Sequence, residues 1–411
     1  MSILLPEDLQ TRLPRMYCVR QKFDQGRLIS IDQVIQGEFG KDFIKRRDVK
    51  GKRVAVAVGS RGISNLLGIV RATIDEIKSL GGEPFIVSAM GSHGKGTELG
   101  QRELLDSYGI NEQNLAVPVV TTLDVVELGK TSKGFSVYFD QTAFEADLVV
   151  PINRIKLHSD FVGELQSGLC KMLVIGLGNH IGCSAIHEED PCLFAGILEE
   201  AASIIIERAN IWFGLAIIEN AYNETGQIEA VPAEAMIWRE KELVNIAKRN
   251  MPYLNIPVTD VLVVEEIGKD ISGAGFDPNV LGRSSVLTEF VLPVPKIQKM
   301  VLLNLTTASC GNGIGVGLFD VITKHVFEQL DLKAMYANAI ACKCLEDVKI
   351  PLMAASEEEA IRVALKGCRD IDRENPKIVK IKNTSQLEHI QVSEGLLDYA
   401  RGGDNRLTIC T

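Results

Sequence analysis

Three short apolar runs, each breaking straight into a glycine-rich or basic loop, constrain the fold open to this chain. They are Arg53-Val-Ala-Val-Ala-Val58, Glu83-Pro-Phe-Ile-Val-Ser-Ala-Met90 and Asp147-Leu-Val-Val-Pro-Ile-Asn153. Runs of this length that stay apolar, rather than alternating, read as strands buried on both faces of a parallel sheet. Between the first two, Leu66, Val70, Thr73, Ile77 and Leu80 recur at helical spacing, with Ser64 as N-cap and Gly81 as C-cap. Residues 195–209 read as a further helix, on Ile197, Ala201, Ile204 and Ile205, and residues 211–218 as a further strand. Strands alternating with helices define an α/β protein with a mostly parallel sheet.

The helical pattern of 233–248 stops at Arg249-Asn-Met-Pro-Tyr-Leu-Asn-Ile-Pro257, where two prolines intervene. A second α/β unit begins at Asp260-Val-Leu-Val-Val264 and continues through Lys299–Leu305, the stretch Gly311–Gly317 and a helix near 356–367. A chain of 411 residues exceeds what one hydrophobic core usually supports. The expectation is two α/β domains with a cleft between them. Residues 1–255 form the N-terminal domain with the site, and residues 256–411 close the cleft, the last helix being free to pack back on the first domain.

A formal charge of −10 argues against broad nucleic-acid binding, which needs clustered Lys and Arg. The first residues lack the pattern of a secretory signal, and no apolar run reaches the ~20 residues of a membrane span. The nine cysteines are scattered and odd in number, as reduced thiols are. Cys342-Lys-Cys344 is too closely spaced for a metal CxxC motif and reads as structural. These features place the chain in the cytoplasm, off membranes and off nucleic acid.

Loops leaving the carboxyl ends of parallel strands open on one edge of the sheet. Ser60 and Arg61 follow the first run, Met90-Gly-Ser-His93-Gly-Lys-Gly96 the second, and Asn153-Arg-Ile-Lys156-Leu-His158 the third. Lys171 comes soon after, in Ser167-Gly-Leu-Cys170-Lys171-Met-Leu-Val-Ile-Gly176-Leu-Gly178-Asn-His180, with His187 beyond. These groups can therefore meet. Imidazoles trade protons near neutrality and ligate metals, and the cations beside His158 keep it neutral. A lysine among apolar residues becomes available for covalent work. Each also has a plainer reading: His93 as a turn cap, His158 as a loop residue, Lys171 as a snorkelling lysine, and His180 and His187 as surface residues. Gly311-Asn-Gly-Ile-Gly-Val-Gly317 fails the dinucleotide fingerprint on spacing and reads as a flexible or closely packed turn.

Taken together, the order Ser-Arg, Gly-Ser-His-Gly, Asn-Arg-Ile-Lys-Leu-His, Ser-Gly-Leu-x-Lys-Met-Leu-x-Ile-Gly-Leu-Gly and a downstream His resembles the nickel-dependent lactate racemase family. The nearer likeness is to the branch acting on other or unknown 2-hydroxy acids, which Glu265–Arg283 also resembles. The resemblance implies nickel held in a pincer nucleotide, pyridinium-3-thioamide-5-thiocarboxylic acid mononucleotide, joined through a thioamide to Lys171. It assigns nickel ligation to His187, with His180 as second candidate, and places Ser60 and Arg61 near cofactor phosphate or substrate carboxylate. His93 and His158 become opposed acid/bases. The implied reaction removes the C2 hydrogen of a small hydroxy acid as hydride and returns it to the other face, inverting the carbinol centre. Cofactor-biosynthesis enzymes are implied partners, and homo-oligomerisation is left open. Thr307–Asn312 departs from the lactate enzyme's substrate-contact region, and Cys310 stands where branch relatives carry histidine. Two rival readings are a zinc-type lyase or hydrolase using the same histidines, and a non-catalytic cofactor-binding relative.

Overall fold

In the computed structural model, residues 12–59, 62–189, 193–402 and 406–410 are described, with Leu4 and Asp8. Their strands, in chain order, are β1 (Met16–Gln21), β2 (Arg53–Val58), β3 (Glu83–Ser88), β4 (Val119–Val120), β5 (Val125–Lys130), β6 (Ser136–Asp140), β7 (Leu148–Arg154) and β8 (Phe213–Glu219). They continue with β9 (Thr225–Pro232), β10 (Val258–Ile267), β11 (Lys296–Leu305), β12 (Val321–Thr323), β13 (Leu352–Ala354), β14 (Ile378–Ile381), β15 (His389–Ser393) and β16 (Leu407–Ile409). The chain forms two compact units, Gln25–Asn250 and Met1–Asp24 with Met251–Thr411. Each is an α/β unit built on a mostly parallel sheet.

The sheet of the 25–250 unit runs β4-β3-β2-β7-β8-β9, parallel except for β9. All three apolar runs lie side by side in it. Val54, Val56, Val58, Ile86, Val150 and Ile152 are buried with Ile69, Val70, Ile74 and Ile77 from the Leu66–Ser79 helix. Burying such a side chain contributes about 1.5–3 kcal/mol each, so these strands anchor the unit. Gly81 ends the helix with φ +79°, which favours a residue lacking Cβ. At the other end the structure corrects the expected cap: Asn65, at φ 60°, is the N-cap, and the Ser64 N–H instead donates to Glu219 Oε1 at 2.7 Å. Glu219, at the end of β8, thus holds the backbone of the residue before the cap.

The order of strands matters more than their number. From β2 the chain steps outward to β3 and β4, then returns to the opposite side of β2 with β7 and β8. The adjacent carboxyl ends of β2 and β7 thus form a topological switch point, where open α/β sheets keep their ligand crevice.

The other sheet runs β13-β12-β11-β10-β14-β15-β1-β16. Its first five strands are parallel, and β15, β1 and β16 add antiparallel pairings. β1 thus joins the sheet of the 251–411 residues, with Val19 buried and Cys18 and Arg20 exposed in strand alternation. The glycine stretch is closely packed: a Cβ at Gly313 would lie 2.3 Å from Leu330 Cδ2, and one at Gly317 2.0 Å from Glu346 O. Among the described residues no single helix is long and apolar enough to cross a membrane.

Candidate active site

The switch point of the 25–250 unit is where the sequence motifs converge. Gly59 follows β2 directly, and a Cβ there would lie 3.1 Å from Met172 Cε, 3.7 Å from Ala89 O and 4.0 Å from Asn153 Oδ1. Those atoms belong to the lysine-bearing segment and to the ends of β3 and β7. Three adjacent strand ends and the segment after Lys171 therefore meet around one backbone position.

The lysine is held there by short-range bonds. After β7, Lys156 and Ser167 exchange backbone hydrogen bonds of 2.8 and 3.2 Å, closing the intervening loop. Asn153 Nδ2 donates to Gly168 O at 2.7 Å. Leu169–Lys171 then forms a single helical turn that passes into a π-turn over Met172–Gly176. Such wider turns recur at functional sites because they shift side chains out of the regular helical register.

Glu240 lies at the start of this turn, fully buried, and its Oε2 accepts the Cys170 N–H at 2.8 Å. Burial pushes its carboxyl up to about 7, against the lowering effect of the Cys170 and Leu169 amides. It sits so close to Gly168 that a Cβ there would lie 2.4 Å from Glu240 Oε1. Position 168 must therefore be glycine for the acid to reach the amides.

His158 and Lys171 meet directly, with Nε2 and Nζ 2.5 Å apart. The other ring nitrogen, Nδ1, accepts the Asp160 N–H at 3.0 Å. A backbone amide can only donate, so Nδ1 carries a lone pair and the single proton of neutral imidazole lies on Nε2. That N–H then needs an acceptor, which a lysine nitrogen offers only as a neutral amine. Lys171, half-buried, thus has an imidazole nitrogen directly against its amine, a setting suited to the neutral, nucleophilic form. The residue is fixed from two further sides: the ring stacks on Phe161 at 4.3 Å, and the His158 backbone N–H donates to Gln166 Oε1 at 2.8 Å.

His93 stands half-buried in the loop after β3 and makes no side-chain cap bond to the turn that follows. Its loop is clamped on both sides. Gln101, buried, accepts from Ser88 Oγ at 2.6 Å and donates to Gly91 O at 3.1 Å. Gly91 N–H donates to Gly176 O at 3.0 Å, and Ser92 Oγ lies 3.3 Å from Cys183 Sγ. The His93 loop therefore rests on the π-turn that follows Lys171.

His180 is exposed on the Asn179–His187 helix, with its ring beside Gly96 of the same loop. Asn179, at φ 51°, starts that helix and donates from Nδ2 to Asp140 Oδ2 at 2.9 Å. Burial raises Asp140 to about 6, opposed by the Ala143 and Asn179 donors. Arg154, at the end of β7, is paired with Glu219. Ser60 and Arg61 lie outside the described residues, as does the side chain of His187.

Residues 19–192 match the family described as the lactate racemase N-terminal domain. No curated protein matches the chain. Among solved structures, the chain is similar to the lactate racemase apoprotein from Thermoanaerobacterium thermosaccharolyticum, with 13% identity and a TM-score of 0.48, covering 94% of this chain and 87% of that one. Residues 19–192, which carry the Lys171 segment and the histidine loops, are thus similar to the N-terminal domain of lactate racemases.

Proposed function

We propose that this chain is a racemase or epimerase that inverts the carbinol centre of a small 2-hydroxy acid, using a nickel pincer nucleotide tethered to Lys171. The observation that carries the reading is the Lys171 amine set directly against the His158 ring at the switch point of the sheet. The donor set fits such a group: a lone-pair amine suits attack on an acyl or thioacyl carbon, and imidazoles suit a borderline metal. Lys171 would be the tether and His187 the nickel ligand, with Ser60 and Arg61 toward phosphate or carboxylate. When bound, the group supplies a hydride acceptor.

The chain's own residues supply the proton chemistry. His93 and His158 act as acid/bases on the substrate hydroxyl from opposite sides, which inversion requires. The Asp160 N–H keeps the His158 proton on Nε2, so the ring is set to donate. For His158 to accept at Nε2, its proton must sit on Nδ1 and the Asp160 contact must open. Consuming the Lys171 lone pair in a tether removes the acceptor that holds Nε2–H in place, and so frees the ring to change tautomer.

The test is expression in a host that makes the cofactor, followed by intact mass and peptide mapping. An adduct on Lys171 with bound nickel is expected; unmodified lysine without nickel under those conditions refutes the reading. A His93→Ala variant should lose roughly 10²–10⁴-fold in turnover while keeping the adduct, and a His158→Ala variant should lose a similar factor per loaded enzyme and also form the adduct more slowly. Deuterium at C2 should stay on the product, whereas wash-out into solvent would favour a lyase-type proton abstraction.

A further inference from the structure

Outside this site, strand pairing in the other unit brings together three metal-ligating side chains that lie far apart in sequence. β1 is flanked by β15 on one side and β16 on the other. In the β1–β16 register Val19 faces Ile409, so Cys18 and Cys410 are the next opposed pair, and the Cys410 N–H donates to Cys18 O at 3.0 Å. Their sulfurs stand 2.9 Å apart. In the β1–β15 register Cys18 faces Gln391 and Arg20 faces His389, which sets His389 diagonal to Cys18 on the same face. Val19 points the other way, into the core. One ligand atom from each of Cys18, His389 and Cys410 lies within 4.8 Å of the other two.

We infer that Cys18, Cys410 and His389 form a binding site for a thiophilic divalent cation of the zinc class, with its fourth position open to solvent. Two sulfurs and one imidazole are a recognised zinc donor set, with metal–sulfur bonds of about 2.3 Å and a tetrahedral sulfur separation of about 3.8 Å. The present 2.9 Å opens to that by side-chain rotation alone, because both thiols are exposed. A disulfide would use the same two sulfurs, but it leaves the imidazole without a part and requires an external oxidant. Metal uptake needs neither: two thiols and one neutral imidazole bind one M²⁺ and release two protons, with no change of oxidation state.

The probe is Co²⁺, added to the full-length chain after chelation and reduction with a phosphine. Expected are a thiolate-to-cobalt charge-transfer band in the near ultraviolet, the visible bands of a tetrahedral centre, and displacement of both by Zn²⁺. Cys18→Ser and Cys410→Ser should each abolish the charge-transfer band, and His389→Ala should weaken binding while thiolate character remains. These residues are on the surface, and circular dichroism checks that the variants fold. A reduced wild-type chain showing no such band overturns the assignment. So does a band that survives both serine variants, or quantitative Cys18–Cys410 disulfide formation in a reduced chain that takes up no metal.

Discussion

His158 and Lys171 face each other across 2.5 Å, nitrogen to nitrogen, with the Asp160 amide on the far side of the ring. An imidazole that accepts at Nδ1 carries its proton on Nε2, the atom that faces the amine. The tautomer presented to the lysine is thus tied to a backbone amide two residues beyond the histidine.

Lys171 should react with a small activated ester at neutral pH faster than the surface lysines. His158→Phe, which keeps the stack on Phe161 but removes the donor, should slow that reaction by about tenfold or more, the equivalent of one pK unit. Peptide mapping after brief acylation reads the rate at Lys171. Equal labelling in both proteins would mean that His158 does not set the amine's state.

Glu240 couples the start of the lysine-bearing turn to pH. Its carboxyl is raised to about 7 in the fold, so its full contribution to stability is present below the ordinary carboxylate range and is lost as pH rises through about 7. The shift corresponds to something on the order of 3 kcal/mol. Glu240→Gln should flatten this dependence, with an acceptor oxygen retained for the Cys170 amide. Denaturant unfolding on either side of pH 7 measures it, and parallel pH profiles for wild type and variant would contradict the assignment.

The pair formed by Asp140 and Asn179 makes a similar prediction for the helix that carries His180. Asn179→Ala leaves a buried carboxylate oxygen without its amide donor, at a cost of roughly 1–3 kcal/mol. That donor lowers the Asp140 carboxyl, which stands at about 6. Its loss should therefore destabilise more above about 6 than below, where the acid is protonated. A thermal unfolding series across that range would show the divergence, and a pH-independent effect would count against it.

Gly176 tests the contact between the π-turn and the loop of His93. An added methyl would stand 2.8 Å from Ala89 O and 3.2 Å from Ala89 C, both backbone atoms, and 3.3 Å from Met172 Cγ. Gly176→Ala should cost about 1–3 kcal/mol through overpacking and displace the loop holding His93. The prediction fails if stability in denaturant is unchanged.

The parallel core was legible because its strands are local and apolar: Arg53–Val58, Glu83–Ser88 and the run ending in Asn153 announce themselves without reference to anything distant. That the His93, His158 and Lys171 segments could meet followed from the rule that strand-end loops share an edge, whereas the adjacency of the three strands came only from the fold. Glu240 was not legible. It sits in the amphipathic pattern of a helix where an acid normally faces solvent, and only the fold turns it toward the Cys170 amide. Cys18, His389 and Cys410 were invisible for a different reason, since nothing in β1 says that its partners come hundreds of residues later. The Ser64 cap failed because the helix starts one residue later, after Asn65, while the Ser64 backbone is bonded to Glu219 and Thr225 from distant strands.

The placement of β1 between β15 and β16 also sets an order of assembly. A ribosome makes β1 first and its two neighbours last, with all of the 25–250 unit in between. That inserted unit has its own sheet and its own hydrophobic core. Until β15 and β16 emerge, β1 is an extended segment without its sheet, and its Cys18 thiol stays apart from Cys410. Every described residue that positions Lys171 lies in the inserted unit, so all of the lysine site is synthesised before the second sheet is complete.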